Sequence, residues 1–337
     1  MTRLRLGACL SLSGRYARFG RQAADGLKAW HSLAGERVEL QVEDDGSDPS
    51  RVARALARVA SRCELLLGPY STQLMREAGR AMADLDALLW NHGGSGDDVQ
   101  ELCPGRIVSV LAPTSRYAAP FVRTRAVEPE RAPLWVVRAR GRFARQVAAG
   151  ALREAERSGL EAVEQRADDT AVSFDGAPAA WDLFSVGTFE DDVAIVNAAT
   201  SARRPPRTLC SVAAGVRDFA SMAEHVDGIY GIAQWFPGRA TRPELGTSER
   251  DFVTAYRRLA GAWPDYPAVQ AAAAAALALH CVQIAGSAEA AALWAIATGL
   301  ETTTLYGAFK IHPQTGAQLG HAPVLVRWRG DQLSPVV

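Results

Sequence analysis

The chain has 337 residues, more than one hydrophobic core comfortably serves, so two domains are expected. With 37 basic and 37 acidic residues its formal net charge is zero, which removes both the basic surplus of a nucleic-acid binder and the acidic surplus of a disordered chain. Five scattered cysteines, Cys9, Cys63, Cys103, Cys210 and Cys281, include no CxxC pair; they specify neither a zinc site nor a disulfide framework, and their odd number favours a reducing compartment and burial as small apolar residues.

Residues 4–12 read as a strand that runs into an aromatic and basic loop, Arg15-Tyr16-Ala17-Arg18-Phe19-Gly20. A helix follows with Ala23, Leu27, Trp30 and Ala34 on one side. The pattern starts directly from Met1 without a signal segment, so the expectation is either a cytosolic protein or a mature exported form with an added start. Val38, Leu40 and Val42 alternate as a second strand, which stops at an acidic cluster. There Asp48 is placed to cap a helix whose first residue is Pro49 and whose inner face is Val52, Leu56 and Val59. Asp44, Asp45 and Asp48 lack the spacing of a calcium loop and read as turn and cap residues.

Residues 65–98 carry the densest pattern. Leu65, Leu66 and Leu67 form a short run closed by Gly68-Pro69, as expected of a strand buried on both faces. Met75, Ala78, Met82 and Leu85 repeat at helical spacing, and residues 87–90 are another strand that breaks at Gly93-Gly94-Ser95-Gly96. Small and hydroxylic residues therefore follow each strand: Tyr70, Ser71 and Thr72 after the first, His92, Gly93, Gly94 and Ser95 after the second. In an open α/β sheet, ligands lie beyond the carboxyl ends of the strands. Ser71 and Thr72 also open a helix, where amides and hydroxyls favour an anion such as a carboxylate. Either loop alone reads equally well as an N-cap or a turn.

After residues 108–113 a second alternation begins. Helices are expected at 117–125, 143–157 and 191–201, and strands at 133–138, 182–186, 208–212 and 228–234. From Ser248 the chain is helical again: Phe252, Tyr256 and Leu259 share a face, then residues 268–285 form an Ala-rich core helix with Gln270, Leu277, Leu279, Val282 and Ile284. Its longest apolar run, 271–281, is too short to span a bilayer. The tail, 307–316 and 323–328, reads as two strands joined by a turn. Strict alternation of strand and helix gives the α/β class with parallel sheets and right-handed crossovers.

An enzyme reading rests on Ser95, with His92 before it and Asp97 and Asp98 behind. GGSGD is not the G-x-S-x-G elbow, because Asp97 stands where the last glycine belongs, and neighbours on one loop rarely give triad geometry. No G-x-G-x-x-G suggests a dinucleotide, so no cofactor is expected; no helix-turn-helix precedes Leu4.

The order LGACLSLSGRYARFG, VEDDGSDPSRVARALARV, LLLGPYSTQL and LLWNHGGSGDD resembles the first domain of type I solute-binding proteins, in particular the branched-chain amino acid and amide group of ABC-transporter receptors. DGIYGIAQWFP, FVTAYRRLAG, YPAVQAAAAAALAL and LYGAFKIHPQTG are similar to that family's second crossing, return helices and third crossing. The resemblance implies two Rossmann-like lobes joined by a three-stranded hinge, residues 1–112 with 237–307 and residues 113–236 with 308–337. It implies hinge closure on a small ligand with a carboxylate or amide head and an apolar tail, no catalysis, a membrane permease as partner, and no membrane insertion of its own. Location would be periplasmic or extracellular if a signal peptide was removed, cytoplasmic if Met1 is the native start; a cytosolic ligand sensor with a regulatory partner is the alternative.

By the same resemblance, Ser71, Thr72, Gly93 and Ser95 grip the polar head, and Phe19, Phe143 and Phe189 cover the tail. One departure stands out. Amino-acid binders of this family place a carboxylate after the strand matched by 208–212, where here the run is Ser211-Val212-Ala213-Ala214-Gly215, without an acid. A buried ammonium needs a partner charge. Unless Glu190 or Asp191 reaches in, an aromatic or aliphatic acid or an amide fits better than an α-amino acid. The two places of a disulfide that some relatives carry are matched by Ser47 and Ser71.

Overall fold

The computed structural model describes residues 3–35, 38–167, 172–238 and 242–336; Met1, where the amino-terminal reading starts, lies outside them. The chain divides into two compact units, Met1–Pro113 with Trp235–His321 and Thr114–Gln234 with Ala322–Val337.

The first unit opens with β1 (Leu4–Leu10), α1 (Ala17–Ala34), β2 (Val38–Asp44), α2 (Pro49–Ala60), β3 (Leu65–Leu67), α3 (Thr72–Ala81), β4 (Leu89–Asn91) and β5 (Ile107–Ser109). These five strands form one parallel sheet, in the order β2-β1-β3-β4-β5. The three leucines of β3 are buried on both faces, which explains why the strand is short and uninterrupted by polar residues. Asp48 caps α2 by accepting a hydrogen bond from Ser50 N at 2.9 Å, Pro49 supplies the first helical residue, and Val52, Leu56 and Val59 face inward.

The second unit contains α4 (Ala119–Ala126), β6 (Leu134–Arg138), α5 (Arg142–Arg157), β7 (Ala162–Arg166), β8 (Asp182–Val186), α6 (Phe189–Thr200), β9 (Thr208–Ser211) and β10 (Tyr230–Ala233). The chain then returns to the first unit with α7 (Glu249–Ala260), α8 (Tyr266–Ala285), α9 (Ala290–Gly299), β11 (Thr302–Thr304) and β12 (Gly307–Phe309), and ends in the second with β13 (Val324–Arg329) and β14 (Gln332–Pro335). The second sheet runs β14-β13-β10-β9-β8-β6-β7, parallel from β7 to β10 and closed by the antiparallel β13 and β14.

Helix α8 is the long core element of the first unit. Its alanines from Ala268 to Ala278 are buried, and their small side chains let it lie close against α1, α9, β3 and β4. By length and composition the 20-residue helix is apolar enough to cross a bilayer, beyond what the 271–281 run alone suggests; its burial is that of a core helix. Leu259 and Ile284 depart from the expected inner faces and stand more than half exposed, because each lies in the last turn of its helix, past the edge of the core.

Three edge elements escape the sequence pattern. β7 and β14 have no apolar alternation because little of either is buried, and α9 buries only Ala290, Leu293 and Ala297. The tail is not a hairpin. β12 pairs with β11 and β13 with β10, and residues 308–321 pack within the first unit, where Ser109 N donates to Gly316 O at 3.0 Å and Gln318 Nε2 to Val110 O at 3.0 Å. Assigning 308–321 to the second lobe is therefore corrected.

Candidate functional site

In the first sheet the order of connection reverses between β1 and β3, and the carboxyl ends of such a pair are where open α/β sheets place a ligand. The loops that follow these strands meet there. Phe19, at the start of α1, stacks on Tyr70 with ring centroids 4.6 Å apart and planes at 22°, and Tyr16 meets Tyr70 edge-on at 6.4 Å. The Tyr70 hydroxyl lies 3.1 Å from the hydroxyl of Tyr266, the first residue of α8. Burial pushes the Tyr70 phenol up to about 12, so it stays protonated and able to donate. Below, the Ser11 hydroxyl sits 2.7 Å from Asp45 Oδ1 and 3.0 Å from the Tyr70 carbonyl, tying β1 to the β3 loop.

One strand further along, the loops after β3 and β4 are joined directly. Ser95 N donates to Thr72 Oγ1 at 3.2 Å, so the two predicted hydroxyl loops form one surface. The approach is possible because Gly93 has no side chain: a Cβ there would lie 2.5 Å from the Pro69 carbonyl oxygen and 2.7 Å from Tyr70 Cα. A Cβ on Gly94 would lie 2.3 Å from Met75 Cβ. Asn91 holds the loop from within, accepting from Gly93 N and Gly94 N at 3.2 and 2.8 Å and donating to Gly94 O and Ser109 Oγ, both at 2.7 Å. Arg76 clamps its far end through a two-point ion pair with Asp98, at 2.8 and 3.1 Å.

The N-cap reading of this loop is corrected. Ser71 occupies the cap position of α3 but makes no side-chain cap bond; its Oγ is buried without a hydrogen-bond partner, while Thr72 Oγ1 is turned to the neighbouring loop. An unpaired buried hydroxyl beside the open first turn of a helix is suited to an oxyanion.

His92 is fully buried, and neither ring nitrogen makes a well-formed hydrogen bond. Burial lowers its pKa to about 4; weak interactions with the backbone of Gly68 and His92 itself oppose the fall without reversing it. It is neutral at physiological pH, and it makes no hydrogen bond to Ser95. The Ser95 nucleophile reading thus lacks its base, and Asp98 is engaged by Arg76.

In the second sheet the same reversal falls between β6 and β8. Phe143 and Phe189 sit in this unit, not with the first-unit residues. Phe143, half-buried in the first turn of α5, meets Tyr117 edge-on at 6.0 Å. Phe189, the buried first residue of α6, meets Phe219 at 6.2 Å. Thr188 and Asp191 close a capping box over that turn, with bonds of 3.2 and 2.9 Å, so Asp191 is committed to the helix terminus; Glu190 is exposed.

The run after β9 has no acid of its own, but an acid from another element packs against it. Asp192 comes in from α6: its Oδ2 accepts from Ala213 N at 2.9 Å and its Oδ1 from the Ser185 hydroxyl at 3.2 Å, with the Ser211 side chain beside it. It is 1% exposed, and burial pushes its pKa up to about 7 against the lowering effect of these donors. Periodicity offered no way to see this, since a helix position facing a strand end looks in sequence like any other acid in a helix's first turn. Asn91, Arg76 and Tyr266 were missed for the same reason; only the i, i+3 phase of Asp192 with Phe189 hinted that it turns inward.

Asp44, Asp45 and Asp48 serve the turns, with Asp44 Oδ1 accepting from Leu12 N and Gly46 N at 2.9 and 2.8 Å and Asp45 Oδ1 from Ser47 N at 2.7 Å. Ser47 Oγ accepts from Tyr16 N at 3.0 Å. All five cysteines are free, four of them buried.

Residues 3–332 match the model of the periplasmic binding protein family. Among solved structures, a leucine-binding protein from Thermotoga maritima is 14% identical and superposes with a TM-score of 0.82, covering 99% of this chain and 98% of that one. A branched-chain amino acid transporter substrate-binding protein from Streptococcus pneumoniae, in complex with isoleucine, is 14% identical with a TM-score of 0.78 over 99% of each chain. An ABC-transporter solute-binding protein from R. palustris, in complex with benzoate, is 14% identical with a TM-score of 0.77, covering 99% of this chain and 96% of that one. No curated protein matches this sequence.

Proposed function

Since the chain belongs to the periplasmic binding protein family, we propose that it is the substrate-binding component of an ABC transporter and captures a small organic acid or amide whose polar head rests on the joined loops after β3 and β4. The observation that carries this reading is the hydrogen bond between Ser95 N and Thr72 Oγ1, which makes one polar surface of two loops beside the unpaired Ser71 hydroxyl. Ser71, Thr72, Gly93 and Ser95 orient the head; His92 and Gly94 shape the loop from below; Phe19 and Tyr70 face the apolar part. Phe143 and Phe189 of the second unit cover the tail when the ligand is enclosed, in the hinge-closing manner of the family. The protein acts by binding alone and delivers its ligand to a membrane permease.

The ligand carries no ammonium group. Asp191 is held by its capping box, and Asp192 is buried and satisfied by Ser185 and Ala213, which leaves neither as a ready counter-ion. That one relative of this fold holds isoleucine and another benzoate is compatible with either ligand class, so the choice rests on these acids. A thermal-shift screen of amino acids, aromatic acids, aliphatic acids and small amides tests the proposal, because a tight ligand of the native state raises the melting temperature. Acids without an amino group are expected to bind at least as tightly as their amino-acid counterparts; strong preference for the zwitterion refutes this. Thr72→Ala and Ser95→Ala are expected to weaken binding by about 1 kcal/mol each, roughly fivefold, with the melting temperature of the free protein little changed. Unchanged affinity in both removes these loops from the site.

A further inference from the structure

A basic recess lies at the amino ends of the second sheet. Thr208 opens β9 and Asp182 opens β8, so this edge is opposite the carboxyl ends at which an open α/β sheet takes its ligand. Arg125, Glu128, Pro129, Glu130, Arg207 and Thr208 line the recess, whose volume is about 380 Å³. The two segments that form it, 123–131 and 203–208, hold six arginines against two glutamates, and of the six Arg123 is drawn away to Glu154. The remaining surplus attracts an anion. Arg125 is buried in the last turn of α4, its guanidinium held over the rings of Phe121 and Tyr230 at 5.8 and 5.9 Å. Its Nη1 donates to Thr208 Oγ1 at 3.1 Å and its Nη2 to Glu128 Oε1 at 2.9 Å, while Nε is buried and has no acceptor among the described residues. Nε and Nη2 form the edge of a guanidinium that an oxyanion engages with two parallel bonds. Glu128 therefore fills one prong of that edge and not the other, and its side chain, 44% exposed, can turn out into water. Arg207 supplies a second guanidinium, fixed by donating to the Glu130 carbonyl at 3.0 Å and to Asp182 Oδ2 at 3.1 Å.

We propose that this recess is a second binding site, for inorganic phosphate or a small phosphomonoester, and that Glu128 holds the Arg125 edge until the anion takes it. Two oxygens of the anion then accept from Nε and Nη2 of Arg125, Arg207 faces a third, and the Thr208 hydroxyl, which accepts from Arg125, keeps its own proton to donate. A phosphate has oxygens for two guanidiniums, whereas a carboxylate spends both of its own on the first. A half-exposed glutamate is released at small cost, and the buried Nε gains its acceptor. The site is independent of the head-group surface after β3 and β4, which belongs to the other unit.

The test is calorimetric titration of the full chain with inorganic phosphate and glycerol 3-phosphate at fixed ionic strength, repeated on Glu128→Gln, Arg125→Lys and Thr72→Ala. Glu128→Gln removes the competing charge, so both anions are expected to bind at least about threefold more tightly. Arg125→Lys keeps the charge and loses the two-pronged edge, and should weaken both by about tenfold. Thr72→Ala, in the first unit, should change neither. A wild-type chain that binds neither anion overturns the proposal, as does a Glu128→Gln variant that binds them no more tightly, or a loss in Thr72→Ala, which would place the anion in the first unit. If Arg125→Lys melts many degrees below the parent, the gain in Glu128→Gln decides alone. Vesicles containing phosphatidate present the same phosphomonoester in a bilayer. The chain is expected not to sediment with them; sedimentation that Glu128→Gln strengthens would make a lipid headgroup the ligand and overturn the free phosphate.

Discussion

The two units wind their parallel strands in the same sequence, β2-β1-β3-β4-β5 in one and β7-β6-β8-β9-β10 in the other, yet their carboxyl edges are furnished differently. The first edge is built from backbone brought into contact: Gly93 against Pro69 and Tyr70, Ser95 N on Thr72 Oγ1, and a neutral buried His92. The second is built from side chains: the Thr188–Asp191 capping box, Asp192 bridging α6 to the turn after β9, and a Gly187 whose missing Cβ would meet the Cβ atoms of Asp191 and Ala139 at 2.5 and 2.9 Å. Topology decides which strand ends can take a ligand, and loop chemistry decides what they hold. A backbone surface of amides and hydroxyls suits a carboxylate head, whereas at the second edge the acids are already committed to a helix terminus and a turn.

The buried titratable groups sharpen this contrast, and they carry the largest expected effects. Asp192 has its pKa raised from 3.8 to about 7. Between those values the folded chain holds more protons than the unfolded one, so its contribution is fully present at low pH and is lost as pH rises, by at most about 1.4 kcal/mol per pH unit. Asp192→Asn should abolish that loss, seen as urea midpoints that no longer fall between pH 5 and 7. A variant with the parental slope would show that Asp192 ionises freely. His92 works in the opposite direction. Its pKa is lowered from 6.5 to about 4, so the unfolded chain binds the extra proton and stability falls as pH drops through that window. His92→Gln should flatten the acid side of the curve, and hydrogen exchange should place the change in peptides around β3 and β4, whereas the Asp192 effect belongs to β8 and β9. Exchange that responds in the wrong unit breaks the comparison.

A smaller effect compares the closest approaches at the two edges. Gly93→Ala forces a methyl into the Pro69 carbonyl, which cannot move without parting the two loops, and is expected to cost about 2–3 kcal/mol and to abolish ligand binding. Gly187→Ala brings a methyl against the Cβ atoms of Asp191 and Ala139, which move only with their backbones, so a cost of about 2 kcal/mol is expected there as well. A cost far below that of Gly93→Ala in urea titration would show that the turn before α6 yields more readily than the loop after β4.

Much of the fold was legible in advance because local physics fixes it. The apolar run of β3, the Asp48–Pro49 start of α2, and the five residues of β8 were all readable from spacing and caps. The edge strands β7 and β14 were not, since an edge strand that buries little leaves no apolar rhythm to read. The tail shows the same limit: two short strands close in sequence look like a hairpin until their partners β11 and β10 are known.

For the site, sequence alone determined the two loops and the kinds of group they offer, because glycines and hydroxyls at strand ends are local statements about turns, caps and close approach. Only the tertiary structure decided that Thr72 faces Ser95, that Tyr266 reaches Tyr70 from the far end of the chain, and that Asp192 packs against the turn after β9. Those pairings depend on which elements the packing of α8 and α6 brings together, and a side chain's partner across 196 residues leaves no trace in the residues beside it.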